Sequence, residues 1–168
     1  MSILPSQIQC GKKILINGWR ENLWSWNIAQ KIKLFTWLII ENKIHIWDNL
    51  QRKGWVCPNI CQLCYIDEEI VSHVFIKCPF THLVWDTIIL DQNINIVWDG
   101  TSITACYDYW KTMEHNLKYL PSLVSCFVWM DRNKKLFENG PPSTSIVAYK
   151  TLGMLKNWKS IHPSKVVK

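Results

Sequence analysis

Residues 57–85, CPNICQLCYIDEEIVSHVFIKCPFTHLVW, place Cys61 and Cys64 two residues apart, with eight residues before His73 and four more before Cys78. Three thiols and one imidazole suit zinc, and four protein ligands close a tetrahedral site with no position left for chemistry. A CxxC pair reaches one ion from a tight turn. His73 and Cys78 lie a little over one helical turn apart, so an imidazole on a helix meets a thiolate just past its end. The expectation is a structural Zn²⁺ site at Cys61, Cys64, His73 and Cys78. Two blander readings stand beside it. Cysteine is often simply buried, and CxxC also serves redox chemistry, although that use expects a βαβ neighbourhood that the sequence does not offer.

Outward from this stretch, the composition supports a folded chain. At 168 residues, 48% hydrophobic and with eleven tryptophans, the chain has enough apolar mass for one sizeable core. Seven cysteines is an odd number, and the start MSILPSQIQCGKK lacks the charged and apolar regions of a secretory signal. Metal is therefore favoured over disulfides, in a reducing intracellular compartment, nucleus or cytoplasm. The apolar run from Phe35 to Ile40 is far shorter than the roughly 20 residues that span a bilayer. Neither a membrane nor a small-molecule substrate is expected.

The net charge of +6 is unevenly spread. Residues 1–56 hold eight Lys/Arg and three Asp/Glu, residues 57–115 hold two and eight, and residues 116–168 hold nine and two. Three thiolates and a neutral imidazole around Zn²⁺ add a further −1 to the acidic middle, which is a poor grip for phosphate. If RNA or another single-stranded nucleic acid is the partner, its phosphates belong on the basic flanks, at residues such as Lys12, Lys13, Arg132, Lys134 and Lys135. The plain alternative is solvated helix faces.

The periodicity predicts an all-α fold of five to seven helices. Residues 1–23 form a loosely ordered lead-in. In 24–41, apolar residues at 28, 32, 35, 38 and 39 follow helical spacing, widened by Leu34 and Trp37. A second helix over 46–53 stops at Gly54 and makes a hairpin with the first. The acidic run Asp67, Glu68, Glu69 precedes a short helix carrying His73, where negative charge suits a helix N-terminus. Pro79 opens the next helix, to about Ile89, with Leu83, Val84 and Ile88 apolar. Residues 91–103 read as a loop with room for a short extended piece. A helix over 104–120 ends at Pro121. Ser122 caps the following one, whose stripe is Leu123, Phe127 and Met130, widened by Val124 and Val128. Gly140, Pro141 and Pro142 end it, and a last helix runs from Ser143 or Ser145 to about Trp158. The organisation expected is a lead-in (1–23), a zinc-binding domain (24–90), a helical extension (91–158) and a basic tail (159–168).

The stretch from Lys31 to Asp86 resembles the zinc-binding domain that follows the reverse transcriptase in plant LINE-type (non-LTR) retrotransposons. The resemblance rests on Lys33, Phe35 and Trp37, on WDNLQRKGW from Trp47 to Trp55, on the CxxC pair, on the acidic residues before His73, and on Cys78-Pro79-Phe80 leading to Trp85. Downstream, Trp129, Arg132 and Asn133 match a Trp-x-x-Arg-Asn segment of such elements. The resemblance implies the same four zinc ligands and a parent polyprotein with endonuclease, reverse transcriptase and sometimes RNase H modules. Two positions depart from the family pattern: Gln30 stands where a proline is usual and Ile46 where a capping threonine is usual. Cys57 and His82 are spare ligands close to the set, and Cys10, Cys106 and Cys126 read as core or incidental thiols.

No enzyme is expected. Tyr107-Asp108-Tyr109 is not the paired-aspartate polymerase motif, no carboxylate group suggests a two-metal nuclease, and no surrounding motif selects a Cys-His nucleophile pair. What remains is an accessory module assisting RNA-template binding beside a reverse transcriptase. The alternative is a zinc-stapled protein-interaction scaffold, or a relic reading frame.

Overall fold

In the computed structural model the described residues are 22–95, 98–113 and 117–161. Among them the secondary structure is helical and contains no strand. The elements are α1 (Gln30–Ile40), α2 (Trp47–Arg52), a π-helical turn (His73–Lys77), α3 (Pro79–Gln92), α4 (Ile103–Trp110), a 3₁₀ turn (Leu117–Tyr119), α5 (Leu120–Glu138) and α6 (Thr144–Ile161). The all-α expectation holds. The lead-in up to residue 21 and the tail from 162 lie outside the described residues.

One core joins the metal segment to the C-terminal helices. Helix α6 packs against α3 and α5, and α5 packs against α1. Side chains from Leu23 to Leu155 fill this core, including Ile39, Val74, Phe75, Val84, Ile88, Val124 and Val128. Its densest part is aromatic. Trp85 stacks on Trp98 at 4.8 Å between ring centroids, and Trp110 lies 5.1 Å from Trp85. Offset and edge-on pairs of this kind add to the apolar area they bury. The indole N–H of Trp98 donates to the Phe75 carbonyl at 2.7 Å, so the loop between α3 and α4 is nailed to the back of the π turn. Ser102 then caps α4, its hydroxyl accepting from the Ala105 amide at 3.2 Å.

Several sequence expectations shift once packing is seen. The first predicted helix begins only at Gln30, after a separate turn at 22–25, and Leu34, assigned to its apolar face, is 49% exposed. Thr36 lies inward instead, its hydroxyl satisfied by the Ile32 carbonyl at 2.8 Å. Leu83 and Met130 likewise face out, and Trp85 takes the buried place in α3. Pro121 does not end a helix. It sits in the first turn of α5, where a missing N–H is no loss, and the preceding helix stops earlier, at Trp110. Ser122 is accordingly inside α5 and buried rather than a cap. At its far end α5 closes on Asn139 in the left-handed conformation, just before Gly140, Pro141 and Pro142.

Candidate metal centre

The CxxC pair sits on a knuckle closed by backbone. The Tyr65 amide donates to the Cys61 carbonyl at 2.9 Å and the Cys61 amide to the Asp67 carbonyl at 2.8 Å. Tyr65 pays for this turn with a positive φ of 56°, unusual for a residue with a side chain. The second half of the set comes from the π turn. The Cys78 amide donates to the His73 carbonyl at 2.7 Å, five residues back, so the two ligands sit one wide turn apart on the same side. Pro79 at the start of α3 then fixes where Cys78 stands.

The four ligand atoms lie within 4.8 Å of one another. Cys61 Sγ is 3.9 Å from Cys78 Sγ, and Cys64 Sγ is 3.2 Å from His73 Nε2. Around a tetrahedral zinc, with Zn–S near 2.3 Å and Zn–N near 2.0 Å, the edges would be about 3.5–3.8 Å. The set therefore fits the ion in size, in donor type and in number. Cys61, His73 and Cys78 are buried and Cys64 is half-buried. Cys57 and His82 are not members of the group.

The electrostatics are those of ligands competing for a proton. A hydrogen bond from the Cys78 thiol holds Cys61 down to about 4 against the opposing effect of burial, with His73 and the backbone amides of Cys64 and Leu63 also favouring the thiolate. The same bond to Cys61, together with burial, pushes the Cys78 thiol up. Cys61 and Cys78 would hold a divalent cation in the proton's place, since zinc binds thiolates and releases their protons. Cys106 is different in kind. Burial, then Asp99, pushes its thiol up to about 11, and burial raises Cys126 as well. Cys106 is part of the core, Cys126 is half-buried outside it, and Cys10 lies outside the described residues.

The acidic run does more than decorate a helix N-terminus. Asp67 places Oδ2 3.7 Å from Nδ1 of His73, the ring nitrogen turned away from the cluster, near it but beyond hydrogen-bond distance. Glu69 is fully buried. Its carboxylate accepts from the Trp47 amide at 3.1 Å and from the Gln62 amide at 3.2 Å. It thus supplies from across the fold the cap that Ile46 cannot give α2, and holds the CxxC turn from behind. The same carboxylate forms a two-pronged pair with Arg132: Nε donates at 3.2 Å and Nη2 makes a second, shorter bond.

Arg132 therefore has a different place from the one expected of it. It is 1% exposed, lies over the Trp129 and Trp47 rings at 4.9 and 5.5 Å, and is committed to Glu69 rather than to a phosphate. Lys134 is exposed, and half-buried Lys135 reaches Asn139 at 3.4 Å. Lys12 and Lys13 lie outside the described residues. The partnership of Glu69 with Arg132 was beyond sequence reasoning because 63 residues separate them. The only hint was an acidic residue in the metal segment and an arginine in the downstream landmark.

Residues 7–85, which contain all four ligands, match the family described as zinc-binding in reverse transcriptase. A putative ribonuclease H protein of Arabidopsis thaliana is 25% identical over 67 residues, 40% of this chain, and the chain spans only 11% of that protein. No solved structure matches. The match starts within the lead-in and ends at Trp85, so the whole metal segment lies inside it. Over residues 7–85 the chain is thus similar to the family of zinc-binding domains in reverse transcriptase.

Proposed function

We propose that the chain is a non-catalytic accessory domain in which a structural Zn²⁺, held by Cys61, Cys64, His73 and Cys78, staples a helical scaffold that helps a reverse transcriptase module hold its RNA template. The observation that carries this is the convergence of four zinc-type ligands within the matched segment. When bound, the ion supplies cross-linking alone, because three thiolates and an imidazole fill a tetrahedral shell and leave it no position for a substrate. Cys61 and Cys64 fix the knuckle, and His73 and Cys78 fix the π turn and the start of α3. The RNA role rests on the family, on the basic flanks and on the reverse transcriptase context, with Lys12, Lys13, Lys134 and Lys135 as contacts of the positive flanks. The compartment proposed is the nucleus or cytoplasm. No helix among the described residues is long and apolar enough to cross a membrane.

Filter binding of the zinc-loaded chain to single-stranded RNA over a salt series tests the RNA role. Binding is expected to weaken with a log-log slope of about −0.7 for each phosphate neutralised. Absence of binding at low salt overturns it. One observation favours a second reading. Tyr65 and Ile66 are 51% and 73% exposed on the metal loop beside the acidic, exposed Asp67 and Glu68, a surface better suited to a protein partner than to phosphate. Retained zinc with no RNA binding selects this protein-interaction scaffold.

A further inference from the structure

Two concavities adjoin where α1 turns into α2, and none of the four metal ligands lines either. The first, of about 400 Å³, is lined by Asn42, Lys43, Asn49, Arg52 and Lys53. The second, of about 360 Å³, shares Asn42 and Arg52 with it and continues past Asp48 to Ser72, Thr101 and Ser102. Both volumes fall in the range of about 300–1,000 Å³ usual for small-ligand sites.

The walls are built before any ligand arrives. Asn49 is buried, and its amide group donates to the Asn42 carbonyl at 2.9 Å, to Asn42 Oδ1 at 3.0 Å and to the Ile44 carbonyl at 2.9 Å. That fixes Asn42 in its left-handed conformation, φ 53°, at the corner between the helices. The cations are presented outward. Lys43 lies 3.8 Å from Glu41 and 4.7 Å above the Trp37 ring, and Arg52 lies 2.9 Å from Asp48. In both pairs the cation is more than half exposed, so it stays open to a second anion beside its largely buried carboxylate. Lys53 is exposed, and no described residue forms an ion pair with it. Gly54, at φ 89°, then turns the chain, and Trp55 follows with its side chain 64% exposed.

Clustered cations, a preformed groove and an uncovered indole are the parts from which single-strand binding is made. We infer that this groove holds a single-stranded nucleic acid, with a phosphate among Lys43, Arg52 and Lys53, a base stacked on Trp55, and the neighbouring nucleoside along the Ser72, Thr101 and Ser102 face. The inference rests on the RNA reading above and gives it a surface. It places the main contact at the corner between α1 and α2 rather than at Lys12, Lys13, Lys134 and Lys135, with the cations in the basic flank that precedes the acidic metal segment.

The test uses the zinc-loaded full chain, a short fluorescein-labelled oligouridine and anisotropy over a salt series. The double variant Lys43→Gln/Lys53→Gln is expected to bind more weakly, with a salt slope shallower by about 0.7, the loss of the one phosphate contact. Trp55→Leu is expected to weaken binding about tenfold while leaving the slope unchanged. Lys150→Gln/Lys156→Gln, on the exposed side of α6, should match the parent. If the parent binds and the groove variants bind as it does, the groove is overturned and the RNA reading stands with its contacts elsewhere. If the parent does not bind oligouridine at low salt, the RNA reading fails and the groove with it.

Discussion

Replacing Cys64 with serine, or treating the chain with a strong chelator, is expected to unfold at least residues 57–85. Structural zinc contributes an apparent 10–16 kcal/mol or so in small zinc-binding peptides, and a domain's entire stability is roughly 5–15 kcal/mol. Loss of the ion therefore removes as much free energy as the fold has to spare. The damage should spread beyond the knuckle. Val74, Phe75 and Ile76 of the π turn are core residues, and Trp98 is held by the Phe75 carbonyl. Released from the ion, the π turn would loosen the tryptophan cluster between α3 and α4. Far-UV circular dichroism and thermal melting of parent, chelated parent and Cys64→Ser follow this directly. A Cys57→Ser variant provides the contrast, because Cys57 is not part of the cluster, and it should melt with the parent. Equal melting of Cys64→Ser and parent would show that the fold does not depend on the centre.

The second large effect is expected at the buried ion pair. Arg132→Met should cost about 3–5 kcal/mol, because it strands the Glu69 carboxylate in the interior. Glu69→Leu should cost at least as much, since it orphans Arg132 together with the Trp47 and Gln62 amides. The double variant Glu69→Leu/Arg132→Met is expected to be more stable than the sum of the two single changes predicts, by at least about 1 kcal/mol, because neither buried charge is left alone. Rescue should stay incomplete, as the two amides remain unpaired. Urea unfolding of the four proteins measures the coupling. Strict additivity would mean that the pair does not join α5 to the metal segment.

This pair also shows where reading from sequence reached its limit. The clustering of Cys61, Cys64, His73 and Cys78 was legible because it is local. CxxC geometry, the spacing from His73 to Cys78 and the proline after it all act within a few turns of chain. Helix existence was legible for the same reason, through apolar periodicity in α1, α3, α5 and α6. The failures came where the two sides of the chain had to be told apart. Leu34, Leu83 and Met130 satisfy a helical stripe as well as their buried neighbours do, and only the packing partner decides which of them is covered. Pro121 fits both the end of one helix and the first turn of the next, and the core contacts of Tyr119, Leu120 and Val124 decide for the second. Arg132 has the composition of a phosphate contact, but the aromatic walls of Trp47 and Trp129 and the distant Glu69 give it a structural task. Glu69 was visible as charge but not as a cap, because that role depends on what lies opposite.

Elemental analysis of the purified full chain, dialysed free of loosely bound metal, tests the central claim most directly. The four-ligand centre predicts one zinc per chain in the parent and in Cys57→Ser, and its loss in Cys61→Ser and Cys64→Ser. A parent that is folded and zinc-free after exposure to zinc would contradict the centre, and with it the proposal that zinc staples this scaffold.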